Sequence, residues 1–326
     1  MQKAVVIRKT GGPEVLTVED IQPPSPTNIN PDSLIIRHTA IGVNYIDLCY
    51  RSGLYKAPSF PLILGIEAAG VVEHGGSNIL MQKGQRVVYG TAPSGAYCQR
   101  RAIHGRFVVG IPDVIPDDVA AAVLTKGLTA HFLIFRTFRV KKEHTILVHA
   151  AAGGVGSLIC QMAKWVGATV IGTVGTPEKA AIAKRHGCDY PIVYSNTDFV
   201  KSVMEITKGE GVPVVYDSVG KDTFSKSMQC LRPMGLLVSF GESSGPVPPI
   251  NILSLAQKNI FVTRPTLSMY KFDPLELALS AVEVFKLVEQ GFIVPQIYKK
   301  YPLQSVAEAH TDIQSRKTYG SCVLMP

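Results

Sequence analysis

The stretch from Thr145 to Val166 constrains the fold of this 326-residue chain more than any other. An apolar run, Thr145–Val148, precedes the glycine-rich sequence His149–Ser157, and a helical pattern, Val155–Val166, follows. A short β-branched run is typical of a buried strand, and apolar residues at helical spacing are typical of a packed helix. Residues 145–163 carry no formal charge, but glycines interrupt them, so a strand, a turn and a helix fit better than a membrane span.

The glycine turn resembles a phosphate-binding fingerprint. Written against G-x-G-x-x-G it reads Ala151-x-Gly153-x-x-Gly156, with alanine at the first glycine position. Gly153 would let the backbone approach a pyrophosphate, and Gly156 would let the helix pack closely on the strand. The N–H groups at the start of the helix would then face the phosphates. A tight turn without a ligand is the alternative, but the strand–turn–helix context favours a dinucleotide site.

Strand and helix patterns alternate along the rest of this region. The predicted strands are Thr145–Val148, Thr169–Val174, Pro191–Tyr194, Pro213–Tyr216, Leu236–Phe240 and Ile260–Thr263. The predicted helices between the early strands are Val155–Val166, Pro177–His186, Phe199–Thr207 and Thr223–Leu231. Such alternation is typical of βαβ units. The sequence therefore predicts an α/β fold with a doubly wound, six-stranded parallel sheet.

Residues 1–125 have a different pattern, in which short apolar runs are separated by Gly/Pro turns. The runs Ala4–Ile7, Leu34–His38, Gly70–Val72 and Arg86–Val88 predict an irregular, mostly antiparallel β domain. The tail contains a helical pattern, Leu275–Glu289, and a last apolar run, Cys322–Met325. We expect three segments: the β domain over 1–125, a dinucleotide-binding domain over 126–265, and a C-terminal return to the β domain over 266–326.

Composition and charge restrict the class of protein. The hydrophobic fraction of 46% and the absence of low-complexity tracts exclude disorder. The six cysteines form no C-x-x-C pair, which favours buried thiols in a reducing compartment. The N-terminal apolar run is too short for a signal peptide. A net charge of +8 attracts anions, yet it is spread along the chain, so we expect no nucleic-acid partner. We expect a soluble cytoplasmic protein.

The end of the second predicted strand distinguishes the two nicotinamide dinucleotides. An NAD site usually places an Asp or Glu there to bind the ribose 2′-hydroxyl. Here the strand ends Gly172–Thr176, without an acid, which leaves room for a 2′-phosphate. Lys179 falls in the first turn of the next helix, where a cation opposes the helix dipole unless a phosphate is bound nearby. NADPH is therefore predicted, with an exposed, solubilising side chain as the alternative for Lys179.

Several further motifs together resemble one family. They are Gly11–Leu16, Asn44–Asp47, Arg51–Tyr55, Lys126–Thr129, the glycine turn, Val215–Gly220 and Val262–Pro265. Across nearly the whole chain they are similar to the zinc-free quinone oxidoreductase, or zeta-crystallin-like, branch of the medium-chain dehydrogenase/reductase superfamily, and most similar to its bacterial NADPH:quinone reductases. The resemblance implies a GroES-like first domain, a Rossmann second domain and a homodimer.

The resemblance also bears on metal binding. The positions that match the zinc ligands of related alcohol dehydrogenases are Asn44, Ile66 and the Thr125–Lys126 region. Asparagine and isoleucine do not replace thiolate and imidazole as zinc ligands, so no metal is expected. A quinone is electron-poor and accepts hydride without a Lewis acid. The task implied for the protein is to position the two reactants.

The family carries roles over to particular residues. Those expected in catalysis are Asn44, Asp47 and Tyr55. Those expected at the cofactor are Asn44, Tyr45, Ile46, Asp47, Thr129, His131, Gly153, Gly154, Val155, Gly156, Gly175, Thr176, Lys179, Tyr194, Ser218, Phe240, Gly241, Ser243, Thr263, Arg264 and Arg316. Structural alternatives stay open: Asn44 and Asp47 as helix caps, Tyr55 at the edge of a core, and Glu67 as a structural partner of arginine or backbone.

The leading hypothesis is an NADPH-dependent quinone oxidoreductase. An NADPH-dependent enone or enoyl-thioester reductase needs the same cofactor geometry and is the first alternative. An NADPH-bound RNA-binding protein with little turnover is the second, supported by the positive charge and by relatives of this branch. The expected homodimer would pair sheet edges in the region from Leu236–Phe240 to Ile260–Thr263.

Overall fold

The structure, a computed structural model, describes residues 1–270 and 273–326. Of the predicted C-terminal segment 266–326, residues 271 and 272 lie outside the described residues. The chain divides into two compact units. The first comprises residues 1–128, 273–289 and 295–326, and the second comprises Thr129–Tyr270 and Gln290–Val294.

The described strands follow one another in chain order. They are β1 (Gln2–Ile7), β2 (Thr17–Ile21), β3 (Ser33–Val43), β4 (Leu62–Ile63), β5 (Glu67–Gly75), β6 (Arg86–Tyr89), β7 (Arg100–His104), β8 (Val108–Gly110), β9 (Thr145–Val148), β10 (Thr169–Val174), β11 (Tyr190–Val193), β12 (Val212–Asp217), β13 (Leu231–Ser239), β14 (Phe261–Thr263), β15 (Ile297–Pro302) and β16 (Ser321–Met325).

The α-helices lie between and after these strands. They are α1 (Tyr45–Ser52), α2 (Asp117–Phe132), α3 (Gly154–Val166), α4 (Pro177–Arg185), α5 (Phe199–Ile206), α6 (Phe224–Cys230), α7 (Leu267–Tyr270), α8 (Pro274–Glu289) and α9 (Val306–Gln314). Helix α4 begins at Pro177, as predicted, and ends at Arg185, one residue before the predicted end. The Thr176 side chain caps it by accepting a hydrogen bond from the backbone N–H of Lys179.

The first unit contains the irregular β structure that the sequence predicts. A seven-stranded sheet has the order β15-β16-β3-β5-β6-β8, with β7 also paired to β3, and a three-stranded sheet has the order β2-β1-β4. All pairs except β15–β16 are antiparallel. The C-terminal strand β16 lies beside β3, so residues far apart in sequence share one buried core.

The second unit is the predicted α/β domain. Its six strands are all parallel, in the order β11-β10-β9-β12-β13-β14. Numbered from the glycine turn this is 3-2-1-4-5-6, the order of a dinucleotide-binding sheet. In such a sheet the ligand site lies outside the carboxyl ends of the strands, where the order reverses beside β9.

Some predicted boundaries are wrong in detail. The strand predicted at Leu236–Phe240 is β13, which begins at Leu231, because Leu231 pairs with Val212 before a shift in register. The strand β15 was not predicted, since its lysines interrupt the apolar alternation.

One helical stretch of the described chain, Asp117–Thr137, is long and apolar enough to cross a membrane by composition alone. However, 78% of its apolar window is buried, as in the core helix of a soluble protein.

Candidate active site

The glycine turn of the second unit has the geometry that a bound pyrophosphate requires. Helix α3 begins directly after the turn, and Gly153 at its N-cap supplies no side chain to the first N–H groups. A Cβ on Gly156 would lie 2.2 Å from the carbonyl oxygen of Ala150, so only glycine allows this close packing. The residues Gly153, Gly154, Val155 and Gly156 therefore present backbone donors at a positive helix end, which fits a dinucleotide phosphate.

The carboxyl end of β10 lacks an acid and instead carries small residues. The hydroxyl of Tyr194, which follows β11, lies 3.5 Å from the place of a Cβ on Gly175. Thr176 caps α4 and Lys179 lies in its first turn, so these four residues surround one corner of the sheet. Lys179 is half-buried and lies near a backbone segment without bulky side chains, and this arrangement fits a phosphate on the adenosine ribose.

The other cofactor residues predicted in this unit also follow strand ends. Ser218 comes after β12, Phe240, Gly241 and Ser243 come after β13, and Thr263 and Arg264 lie at the end of β14. A Cβ on Gly241 would lie only 2.8 Å from the Ser218 carbonyl oxygen, so the turns after β12 and β13 lie in close contact. Arg264 donates to the Ser239 carbonyl at 3.2 Å. The parallel sheet thus gathers these predicted residues at one edge.

A buried network of polar side chains stabilises the carboxyl edge of this sheet. The carboxylate of Asp217 accepts hydrogen bonds from the backbone N–H groups of Val219 and Gly220, at 2.8 and 3.0 Å. The hydroxyls of Thr223 and Ser227 also donate to Asp217. These bonds fix the turn after β12.

The imidazole of His149 extends this network to β10. It lies 2.9 Å from the Ser227 hydroxyl and 2.7 Å from the Thr173 hydroxyl. Burial lowers the pKa of His149. His149 is therefore a satisfied, buried residue that ties β9, β10 and α6 together beneath the glycine turn.

In the first unit, the amide of Asn44 is held between two buried charges. The Lys126 ammonium donates to Asn44 Oδ1 at 3.0 Å, and Asn44 Nδ2 donates to Glu67 Oε2 at 2.8 Å. Lys126 also donates to the Val43 carbonyl and lies 3.7 Å from Glu67. Glu67 accepts from the backbone N–H of Thr125 at 2.6 Å, so its structural partners are lysine and backbone rather than arginine. The amide orientation is fixed by charge.

Asp47 lies at the start of α1, directly behind Asn44. Its Oδ2 accepts from the backbone N–H of Asn44 and from the Tyr97 hydroxyl, both at 2.9 Å. Burial raises the pKa of Asp47 to about 7, although both hydrogen bonds and the Lys126 charge oppose the rise. Asp47 is therefore a helix cap, as the structural alternative proposed, and also a carboxyl that changes protonation near neutral pH.

The remaining predicted residues divide between the units. Tyr45 and Ile46 lie on the first turn of α1, Tyr55 packs edge-on against Tyr50, and Arg316 follows α9; all belong to the first unit. Thr129 and His131 lie at the end of α2 in the second unit, where the buried His131 ring packs 5.0 Å from Phe135.

Sequence reasoning missed three buried residues around Asp47. They are Lys126, Tyr97 and His310, each of which reaches the site from a distant part of the chain, and Tyr97 and His310 lie in none of the motifs. Only Lys126 had a signal, because it falls in the region that matches a zinc ligand. Among residues 1–270 and 273–326, no group of three or more His, Cys, Asp or Glu side chains could hold a metal ion.

Comparison with known proteins places this geometry in a family. Two family models match: the alcohol dehydrogenase GroES-like domain over residues 30–140, and the zinc-binding dehydrogenase over residues 154–280. A quinone oxidoreductase of Pseudomonas aeruginosa is 47% identical over 328 residues, covering 100% of both chains. A 2-haloacrylate reductase of a Burkholderia species is 40% identical, covering 100% of this chain and 99% of the relative.

A solved structure gives the same result. The crystal structure of Escherichia coli quinone oxidoreductase complexed with NADPH has a TM-score of 0.97 and 42% identity, covering 99% of this chain and 100% of that one. The chain therefore belongs to the quinone oxidoreductase family of the medium-chain dehydrogenase/reductase superfamily, as its motifs predict.

Proposed function

We propose that this chain reduces a quinone with NADPH, without the help of a metal ion. The observation that carries the proposal is the full-length likeness to quinone oxidoreductases, including one complexed with NADPH. The geometry agrees with it, because the glycine turn suits a pyrophosphate and the end of β10 has no acid to repel a 2′-phosphate.

The residues of the second unit would hold the nucleotide. NADPH supplies a hydride to the acceptor when it is bound. The backbone donors of Gly154 and Val155 would face the pyrophosphate, and Lys179 and Tyr194 would contact the 2′-phosphate. Ser218, Phe240, Gly241, Ser243, Thr263 and Arg264 take the nicotinamide half in this proposal. Their task is to fix the reacting carbon in position, because holding two reactants in the right geometry lowers the barrier to their reaction.

The residues of the first unit would bind the acceptor. Asn44 presents an amide whose orientation Lys126 and Glu67 fix, so it can position an acceptor without moving. Tyr55 supplies an aromatic face, and Asp47 a carboxyl. A flat, electron-poor quinone fits an aromatic face and needs no Lewis acid.

Stopped-flow measurement of NADPH oxidation with benzo-, naphtho- and phenanthrenequinones tests the proposal. We expect hydride transfer, with NADPH preferred over NADH, and loss of that preference in K179A. A K184A variant, which removes an exposed lysine at the other end of α4, serves as the control. Failure of every quinone to oxidise NADPH would refute the proposal.

Reduction of a conjugated carbon–carbon double bond is the second candidate. A 2-haloacrylate reductase, named for such a substrate, is 40% identical over the whole chain. Both reactions need the same nucleotide geometry, and they differ in the acceptor. Faster turnover on an α,β-unsaturated ketone or acid than on any quinone would favour this candidate over the first.

The assembly and location belong to the same proposal. Strand β14 ends the six-stranded sheet, and Phe261 on it is 58% exposed, so two sheets can pair edge to edge in a homodimer. Sedimentation of a monomer at micromolar concentration would contradict the dimer. We also propose that the protein is soluble and cytoplasmic and has no nucleic-acid partner. In this proposal residues 1–125 and 266–326 bind the acceptor, and residues 126–265 bind NADPH.

A further inference from the structure

Four apolar side chains of the second unit form a surface that we call the aromatic patch: Phe135, Trp165, Phe292 and Val294. The centroid of the Trp165 ring lies 6.2 Å from that of Phe135 and 6.1 Å from that of Phe292. Trp165 is 48% exposed, Phe292 51% and Val294 57%. Apolar side chains scattered singly over a surface need no explanation, whereas a contiguous exposed group of them marks a binding surface.

The fold holds the aromatic patch at the surface. Gln161 and Trp165 are four residues apart on α3, so they lie on the same face of this helix. The buried Gln161 side chain accepts a hydrogen bond from the Val294 N–H at 2.7 Å and donates to the Val294 carbonyl at 3.4 Å. These two bonds fix segment 292–294 along that face of α3. The patch is therefore exposed because the backbone that carries it is held there.

Basic side chains lie next to the aromatic patch, and we call them the basic border. They are all exposed: Arg136, Arg139, Lys141, Lys142 and Lys164. The first four belong to the segment that precedes β9, and Lys164 directly precedes Trp165. Lys142 reaches the end of α3, because its Cβ lies 3.2 Å from the place of a Cβ on Gly167. The apolar surface thus has a positively charged edge.

Acidic groups compensate only part of this charge. Within the second unit, Glu143 lies 4.0 Å from Lys141 and Asp189 lies 2.5 Å from Lys164. Arg139 and Lys142 have no ion-pair partner among residues 1–270 and 273–326. The basic border therefore keeps an excess of positive charge that attracts an anionic partner.

The two features together match a membrane surface that contains anionic lipid. Tryptophan and phenylalanine side chains suit the boundary between headgroups and acyl chains, and lysine and arginine are attracted to the negative potential of the headgroups. A single-stranded nucleic acid would instead need open ring faces on which its bases stack. Here the rings pack against one another at 83° and 58°, so they present a joined apolar surface.

We propose that the aromatic patch and the basic border dock the protein reversibly on a membrane surface that contains anionic lipid. The side chains of Trp165, Phe292 and Val294 enter the headgroup region, while Arg139 and Lys142 contact lipid phosphates. This contact lies on the bilayer and does not span it, so it is compatible with a soluble protein. The inference goes beyond the proposed reductase function and does not depend on it.

The fluorescence of the wild-type protein tests docking directly, because Trp165 is the only tryptophan of the chain. Vesicles of equal parts phosphatidylglycerol and phosphatidylcholine should shift its emission to shorter wavelength, and the titration gives a partition coefficient. Vesicles of phosphatidylcholine alone should give a coefficient at least about 25-fold lower, since Arg139 and Lys142 each contribute about fivefold on an anionic surface. Brominated lipid in the anionic vesicles should quench the emission, which requires no variant and shows that the ring enters the bilayer.

Two variants separate the apolar from the charged contribution. F292S keeps the fluorescent probe and should lower the partition coefficient by about five- to tenfold, because a half-exposed phenylalanine no longer enters the lipid. Its control is L80S, since Leu80 is 97% exposed and lies in the first unit. R139Q/K142Q should lower the coefficient by about 25-fold. Its control is K9Q/K83Q, which removes the same charge from exposed positions of the first unit.

Three results would overturn the proposal. The first is wild-type emission that anionic vesicles neither shift nor quench, or that both kinds of vesicle shift equally. The second is a loss of partitioning in L80S or K9Q/K83Q as large as in the matched variant. The third is emission that moves to longer wavelength when the protein is diluted without lipid, because a second copy of the chain then covers the patch. None of these measurements uses NADPH or a quinone, so a failure of the proposed reductase function leaves their result unaffected.

Discussion

Replacing Lys126 with methionine should destabilise the first unit strongly, because it leaves a buried carboxylate uncompensated. The Lys126 ammonium donates to Asn44 Oδ1 and to the Val43 carbonyl, and it lies 3.7 Å from Glu67 Oε2. Glu67 is fully buried and Lys126 is 7% exposed. Methionine fills a similar volume but offers none of these donors.

The expected loss follows from these distances. Two unit charges 3.7 Å apart attract each other by about 4 kcal/mol at an effective dielectric constant of about 20. Removing one partner of a buried pair costs about 3–5 kcal/mol, because the other charge remains without compensation. We therefore expect K126M to reduce the free energy of unfolding of the first unit by about 3–5 kcal/mol at pH 8.

The loss should shrink at lower pH. Burial already raises the pKa of Glu67, and the Lys126 charge opposes that rise. In K126M the pKa goes higher still, so Glu67 is protonated in the folded variant at a pH where it is ionised in the wild type. A carboxyl whose folded pKa exceeds its unfolded value gains stability as the pH falls between the two. The difference between K126M and wild type should therefore be smaller at pH 5.5 than at pH 8.

Pulsed thiol labelling in urea measures the effect in the right unit. Cys98 is buried in the first unit, and its modification followed by mass spectrometry reports the opening of that unit. The single tryptophan, Trp165, lies in the second unit, and its fluorescence is an internal control.

Two variants make the comparison decisive. The double variant K126M/E67Q has no buried charge in the pair and should recover about 2 kcal/mol of the loss. K83M, which changes an exposed lysine, should alter stability by less than about 0.5 kcal/mol. A double variant no more stable than K126M, or a loss that does not depend on pH, would refute the reasoning.

Three further outcomes are expected. K179A should weaken NADPH binding by about tenfold and leave NADH binding unchanged, because one charged hydrogen bond to the 2′-phosphate is lost. The control variant K184A should change neither dissociation constant. Calorimetry measures both constants, and equal weakening for the two nucleotides would contradict the assignment. G156A should destabilise the turn by about 1–3 kcal/mol in urea titrations followed by Trp fluorescence, because its Cβ would meet the Ala150 carbonyl at 2.2 Å; an unchanged midpoint would contradict this. By NMR, His310 should stay neutral down to pH 5, because its pKa is lowered to about 3; a midpoint near 6.5 would contradict its burial.

The second unit could be predicted from the sequence in most respects. Its strands are short, apolar and separated by helical patterns, and this alternation determines both the parallel sheet and the edge where Gly175, Ser218 and Thr263 lie. The alternation of strands and helices does not predict which residues pair at the ends of the strands. Leu231 joins β13 because Val212 lies opposite it, and the sequence around Leu231 does not indicate that partner.

The polar centre of the first unit shows the corresponding limit for the site. The motif Asn44–Asp47 predicts a cap or a reactive group, and it is unable to distinguish them, because the difference depends on residues elsewhere. Tyr97 and His310 meet although 213 positions separate them in the chain. A single tyrosine or histidine has no periodicity, so only the fold reveals that the two face one carboxyl.

Two lines of buried, hydrogen-bonded polar groups in the first unit share one feature: in each, a charged side chain acts on the groups bonded to it. In one, a cation and an anion hold the Asn44 amide between them, so that its dipole is aligned by Lys126 and Glu67. In the other, the Arg51 charge acts on Asp47 through two neutral groups, His310 and Tyr97. Buried charges are costly unless they are compensated, and a replacement by apolar residues is often no less stable. The presence of six buried charged or titratable side chains in these two lines therefore favours a role in orienting reactive groups over a role in stability.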